Sequence, residues 1–148
     1  MWNSGKSVLL SSICTKIVIA AVIGAAVTAP YLVKGYVSYS MKDPAVIKPL
    51  LALIYACAVP GLTALFSLDR LLANIKARNV FIEKNVKHLR VISWCSFIVS
   101  AILFVFGFYY LLFLLMAVAA AFFGLILRVV KNVIEQAVAI KNENDFTI

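Results

Sequence analysis

A run of 37 uncharged residues, Val91 to Leu127, restricts what this chain can fold into more than any other feature of its sequence. As one α-helix the run would extend about 55 Å, nearly twice the roughly 30 Å thickness of the hydrocarbon layer of a bilayer. Two antiparallel spans joined by a tight turn fit the membrane better. The turn is predicted at Gly107 to Tyr110, because glycine permits a sharp bend and tyrosine side chains favour the membrane–water interface.

The composition of the whole chain agrees with a membrane protein. Hydrophobic residues make up 64% and charged residues 14%, whereas a soluble domain has roughly 45–50% and about 25%. A soluble chain of 148 residues could not bury that much apolar surface, because small proteins have a high ratio of surface to volume. The sequence therefore predicts one all-α domain over residues 1–148, an integral membrane four-helix bundle. Its spans are predicted at about 13–33, 49–68, 91–108 and 112–130.

Helices 2 and 4 are predicted to extend beyond the membrane into the cytoplasm. After the second span, Leu71 to Ile75 place apolar residues on one helix face, and the helix is predicted to end at Arg78–Asn79. After the fourth span, an apolar stripe continues from Val129 to about Ile140, and residues 141–148 follow as a tail. The two stripes either pack on each other as a short stalk or form a groove that a cytoplasmic protein can enter.

The distribution of lysine and arginine predicts the orientation in the membrane. One lies before the first span, six lie between the second and third, and three lie at or after the end of the fourth (Arg128, Lys131 and Lys141), ten in all. The opposite side has Lys34, Lys42 and Lys48. Because the cytoplasmic ends of spans are rich in lysine and arginine, both termini and the middle segment are predicted to be cytoplasmic. The net charge of +8 has the same explanation, and direct nucleic-acid binding is not expected.

No group of residues in the sequence predicts catalysis, a metal site or a cofactor site. His88 is the only histidine, and it lies in the basic segment at the membrane surface. The three cysteines lie apart in apolar stretches without a C-x-x-C pair, so they are interpreted as small hydrophobic residues. The spans hold no Asp or Glu that could relay a proton. The chain is therefore predicted to be non-enzymatic, with no metal and no cofactor.

A face of small residues on the first span allows close packing against another helix in lipid. Gly24 and Thr28 are four residues apart, and alanines at positions 20, 21, 25 and 26 extend the face. The pattern fits either packing inside the bundle or homo-oligomerisation, and the sequence leaves both open.

The polar segments resemble those of a known family. Arg70-Leu71-Leu72 follows the second span, Val80-Phe81 and Asn85-Val86-Lys87-His88-Leu89-Arg90 precede the third, and the chain ends in Ile140-Lys141-Asn142-Glu143-Asn144-Asp145-Phe146-Thr147-Ile148. This combination resembles a bacterial family of small four-span membrane proteins that is catalogued as a domain of unknown function. Genes of that family often neighbour a gene for a small helix-turn-helix regulator of the Cro/CI type.

The resemblance implies a protein of the bacterial plasma membrane that binds or sequesters a cytoplasmic helix-turn-helix transcription regulator. The candidate partner-binding residues are polar and lie on the predicted cytoplasmic side: Arg70, Arg78, Lys84, Asn85, Lys87, Arg90, Asn142, Glu143, Asn144 and Asp145. The acids of the tail are predicted to dock against the basic segment. An alternative from a different class is an immunity protein, or a protein of small-amphiphile transport or resistance, in which the spans carry the function.

Overall fold

Four long α-helices make up almost all of the computed structural model, which describes residues 3–147. The helices are α1 (Ser4–Tyr39), α2 (Ile47–Lys76), α3 (Glu83–Gly107) and α4 (Leu111–Phe146), and a short 3-10 helix, Pro44–Val46, precedes α2. Each long helix contains a stretch long and apolar enough to cross a membrane. The predicted all-α membrane fold with four spans is confirmed, and the chain is a multi-pass membrane protein.

The helix ends in the middle of the chain agree with the sequence. α2 ends at Lys76, about two turns beyond the predicted span. Arg78 then adopts a φ of 62°, a left-handed conformation of the kind that follows the end of a helix. The residues between α3 and α4 are Phe108 to Tyr110, so the predicted turn is confirmed.

Two helices are longer than the sequence predicted. α4 ends at Phe146 rather than near Ile140, because residues 141–146 contain no proline or glycine that would stop it. α1 ends at Tyr39, six residues beyond the predicted end of the first span at Val33. Val37 is only 3% exposed, and its packing outweighs the low helix propensity of Gly35. The lengths of both helices are therefore corrected.

The helices pack in the order in which they follow one another along the chain. In the described structure α1 packs on α2, α2 on α3 and α3 on α4, and α4 does not approach α1 or α2 closely through its backbone. The hydrophobic core lies where α2, α3 and α4 converge, around Leu53, Leu103 and Ala117. The bundle is consequently open, with α3 between α2 and α4 and with α1 at its edge.

Three serine side chains of α3 connect it to the backbone of α4. Their hydroxyl groups donate hydrogen bonds to three α4 carbonyls: Ser93 to Gly124 at 2.9 Å, Ser96 to Ala120 at 2.7 Å, and Ser100 to Ala117 at 2.7 Å. Small hydroxyl residues let two helices approach closely in lipid, where no water competes for the hydrogen bonds. The spacing of three and then four residues keeps all three serines on the same face of α3. This seam holds α3 and α4 together, and it was not predicted from the sequence.

Replacing Gly124 by valine is expected to separate α3 from α4. A β-carbon at Gly124 would lie 3.0–3.1 Å from three ring carbons of Phe97, so the Phe97 ring would have to shift to admit the added side chain. Overpacking of this kind costs about 1–3 kcal/mol. Gly124→Val should therefore lower the melting temperature of the purified protein in detergent.

Gly35→Val is the matched control for this prediction. No atom outside its own helix lies within 4 Å of a β-carbon placed at Gly35. Valine has a higher helix propensity than glycine, so this variant should melt at the same temperature as the wild type or slightly above it. Equal melting temperatures for Gly124→Val and Gly35→Val would contradict the packing described for the seam.

The small-residue face of α1 is not used for packing inside the chain at Gly24. That residue is exposed, and no atom outside its own helix lies within 4 Å of a β-carbon built on it. The small-residue face was predicted to serve either packing inside the bundle or homo-oligomerisation, and at Gly24 it does not pack inside the bundle. Homo-oligomerisation stays a prediction.

Candidate partner-binding surface

The antiparallel helices give the bundle two chemically different ends. The basic end consists of the first residues of α1, the last turns of α2, the first turns of α3 and the last turns of α4. The tyrosine end consists of the connection between α1 and α2 and the turn between α3 and α4. All of the candidate partner-binding residues lie at the basic end.

Asn85 organises the loop that joins α2 to α3. Its side chain is 1% exposed, and its Oδ1 accepts a hydrogen bond from Asn74 Nδ2 at 2.8 Å. Its Nδ2 donates to the backbone carbonyls of Asn79 and Val80, each at 2.8 Å. One buried amide thus connects the end of α2, the loop and the start of α3.

The structure gives Asn85 a role inside the chain, and its contact with a partner stays a prediction. A sequence cannot distinguish an exposed asparagine in a basic segment from one whose amide is enclosed by a loop. In the structure both polar atoms of the Asn85 side chain are already bonded within the chain and away from solvent. Its role is to hold the loop.

An apolar groove lies at the basic end, and we call it the extension groove. It has a volume of about 130 Å³. Its lining comes from the last turns of α2, the first turns of α3 and the last turns of α4: Leu71, Ile75, Val80, Asn85, Leu89, Val130 and Ile134. The extensions of α2 and α4 do not pack on each other as a stalk, because both lie against α3 and leave the groove between them. The geometry therefore agrees with the groove interpretation.

A second, polar cleft lies between α3 and α4 at the same end. It has a volume of about 300 Å³ and is lined by Glu83, Val86, Lys87, Arg90, Glu135, Val138, Ala139 and Asn142. Glu135 Oε2 lies 2.7 Å from Lys131 Nζ, and Glu135 Oε1 lies 3.4 Å from Arg90 Nη2. The cleft therefore has an ion-pair cluster on its wall, and this cluster joins α3 to α4.

The cluster explains how α4 accommodates a lysine on its packed face. The Lys131 side chain is only 10% exposed, and a charge so far from water needs a partner. Glu135 lies beyond the predicted fourth span, and the hydrogen bond from Lys131 lowers the pKa of its carboxyl group, with further lowering by the charges of Lys131 and Arg90. Neither Lys131 nor Glu135 was among the candidate residues, although their spacing of four residues on a helix is a recognisable signal for an ion pair.

The other candidate residues are exposed, and they form two groups. Five cations lie on or beside the connection between α2 and α3: Arg70, Arg78, Lys84, Lys87 and Arg90. Four polar residues lie on the last turns of α4: Asn142, Glu143, Asn144 and Asp145. Phe81, in the same connection, is 45% exposed, and no role was predicted for it from the sequence. Its position between Arg78 and Lys84 could have indicated an exposed aromatic residue at this surface.

The predicted docking of the tail is wrong in the form in which it was stated. Residues 141–146 continue α4, and among residues 3–147 neither Glu143 nor Asp145 forms an ion pair with the basic segment. Phe146 is 91% exposed, so it does not cover an apolar stripe. Ile148 lies outside the described residues. Because α4 continues through residues 141–146, the chain does not bend back, and Glu143 and Asp145 do not reach the basic segment.

Comparison with the models of known protein families shows which family the chain belongs to. Residues 28–148 match the model of a family described as "Protein of unknown function (DUF2975)". The chain belongs to this family. The match begins inside α1 and includes every residue of the extension groove and of the polar cleft. The resemblance to a family of unknown function is confirmed, whereas the bacterial source and the neighbouring regulator gene stay predictions.

The DUF2975 description assigns no chemistry to the chain. No curated protein and no solved structure matches it. Among residues 3–147, no three His, Cys, Asp or Glu side chains are grouped so as to hold a metal ion.

Proposed function

We propose that this chain is a non-enzymatic protein of the bacterial plasma membrane whose basic end faces the cytoplasm and binds a helix-turn-helix transcription regulator. The observation that carries the proposal is the extension groove, because it is apolar although all of its lining residues except Val130 lie beyond the predicted spans. Lipid cannot cover apolar residues there. A protein partner can.

The lining of the groove suits the apolar face of an amphipathic helix. Helix-in-groove recognition inserts apolar side chains spaced three or four residues apart into a hydrophobic trough. Leu71 and Ile75 form one wall, and Val130 and Ile134 form the other. A helix-turn-helix regulator is itself helical and offers such a face, and the family resemblance points to the same partner.

Charge favours a partner with acidic residues beside its apolar stripe. Arg70 and Lys76 are the sequence neighbours of the groove residues Leu71 and Ile75, and both are exposed. Complementary charge speeds association and excludes wrong partners more than it adds affinity. Binding at this surface would sequester the regulator at the membrane, away from its operator.

The test is capture of the partner from native cells. The full-length chain is purified in detergent with an affinity tag, and the proteins that remain bound are identified by mass spectrometry. A helix-turn-helix regulator is the expected companion. Capture of membrane-active toxins or transport ATPases without any regulator would contradict the proposal.

A second candidate function has an observation of its own. An immunity protein, or a protein that handles a small amphiphile, would act through the spans and the tyrosine end. Two apolar, aromatic-lined grooves of about 310 and 330 Å³ adjoin each other at that end. They lie at the opposite end of the bundle from the extension groove, so the two functions can be tested separately.

A further inference from the structure

The two adjoining grooves at the tyrosine end form one trough. They share four lining residues, Val46, Leu50, Tyr110 and Phe113. One groove continues along Pro49, Phe106 and Tyr109, and the other opens towards Tyr36 and Lys42. The trough is therefore apolar and aromatic along its length and has one cation at its rim. We call it the tyrosine-end trough.

Lys42 is held at the rim by aromatic rings instead of a carboxylate. Its Nζ lies 4.7 Å from the centre of the Tyr110 ring and 5.4 Å from the centre of the Tyr36 ring. It also donates a long hydrogen bond of 3.4 Å to Tyr36 Oη. Among residues 3–147, no carboxylate lies within 4.0 Å of this ammonium group.

The nearest acid in the sequence is already engaged. Asp43 Oδ1 accepts a hydrogen bond of 2.9 Å from the backbone N–H of Ala45, which caps the 3-10 helix Pro44–Val46. Cation–π contacts stabilise an ammonium group, but they leave its charge uncompensated. Lys42 is thus a pre-positioned cation that has no anion of its own.

The depth of the trough decides what can compensate that charge. The trough begins where the spans α2 and α4 begin, at the level where tyrosines and lysines meet lipid headgroups. A ligand that fits must have an apolar chain for the trough and a negative group for Lys42. We propose that the tyrosine-end trough binds a phospholipid with an anionic headgroup from the surrounding bilayer, with the phosphate beside Lys42 and an acyl chain along Leu50 and Phe113.

This site is independent of the proposed partner at the other end of the bundle. No residue of the tyrosine-end trough lines the extension groove or the polar cleft. Loss of lipid binding would leave regulator capture unchanged, and the reverse also holds, so failure of one proposal is distinguishable from failure of the other.

The experiment compares two phospholipids on the purified full-length chain. Phosphatidylglycerol and phosphatidylcholine with the same acyl chains are added to the protein in a non-ionic detergent, and retained lipid is counted by native mass spectrometry. One cation at an anionic headgroup is expected to favour phosphatidylglycerol about fivefold. Phosphatidylglycerol should also raise the melting temperature more than phosphatidylcholine does.

Two lysine variants and a soluble anion complete the test. Lys42→Gln should abolish the preference for phosphatidylglycerol, and Lys42→Arg should keep it. Lys48→Gln, an exposed lysine at the same end, should also keep it. Equal retention of both lipids by the wild type, or equal loss in Lys42→Gln and Lys48→Gln, would overturn the proposal in favour of ordinary interfacial anchoring. An equal rise in melting temperature with inorganic phosphate alone would overturn it in favour of a free-anion site.

Discussion

Asn85→Ala should destabilise the chain more than any other single truncation at the basic end. The change removes three hydrogen bonds of 2.8 Å at once and leaves Asn74 and the carbonyls of Asn79 and Val80 without their partner. Losing a buried amide of this kind costs about 2–3 kcal/mol, because water replaces the lost bonds only in part. In thermal unfolding in detergent this corresponds to a fall in melting temperature of about 5–10 °C.

Two further variants separate the hydrogen bonds of Asn85 from its volume. Asn85→Asp keeps the size and the acceptor but cannot donate to the two carbonyls, so it should melt as low as Asn85→Ala. Asn132→Ala removes an exposed asparagine of α4 and should leave the melting temperature unchanged. A wild-type melting temperature for Asn85→Asp would mean that the side chain merely fills space.

Ile134→Asp should strongly weaken capture of the proposed cytoplasmic regulator. Ile134 lines the extension groove, and a carboxylate there would have to lose its water against an apolar helix face. Central interface residues commonly contribute enough that such a change weakens binding by at least about tenfold. The measurement is the amount of regulator that co-purifies with equal amounts of wild-type and variant chain.

Val133→Asp provides the matched control for the groove. Val133 is adjacent in sequence and 58% exposed, and it does not line the groove. It should capture the regulator as well as the wild type does. Ile134→Ala, which keeps the helix and introduces no charge, should give an intermediate loss. Equal capture by Ile134→Asp and Val133→Asp, with melting temperatures close to that of the wild type, would show that the extension groove does not bind the regulator.

The number of spans and the turn between α3 and α4 could be predicted because they depend on the lengths of the apolar runs and on the spacing of residues along the chain. The uncharged run of Val91 to Leu127 is too long for one crossing, and Gly107 lies near its middle. The extension of α2 was predictable from the apolar residues between Leu71 and Ile75. Each of these features follows from length and periodicity, which the sequence contains in full.

The corrected features depend on what each residue meets in three dimensions. A serine in an apolar stretch gives no sign of its partner, so the contacts of Ser93, Ser96 and Ser100 with α4 became visible only in the structure. The ends of α1 and α4 were underestimated because a helix continues where nothing stops it, even through polar residues. Asn85 looked like a surface residue because charged residues lie close to it in the sequence: Glu83, Lys84 and Lys87.

The extension groove can bind a cytoplasmic regulator only if the basic end faces the cytoplasm. The measurement that tests this claim most directly uses single cysteines in a chain whose own Cys14, Cys57 and Cys95 are replaced by alanine. An impermeant thiol reagent is applied to intact cells, and lysed cells serve as the control in which every site reacts. Ser40→Cys, at the tyrosine end, should be labelled from outside, and Lys84→Cys, at the basic end, should not be labelled. Labelling of Lys84→Cys in intact cells would place the groove outside and contradict the account.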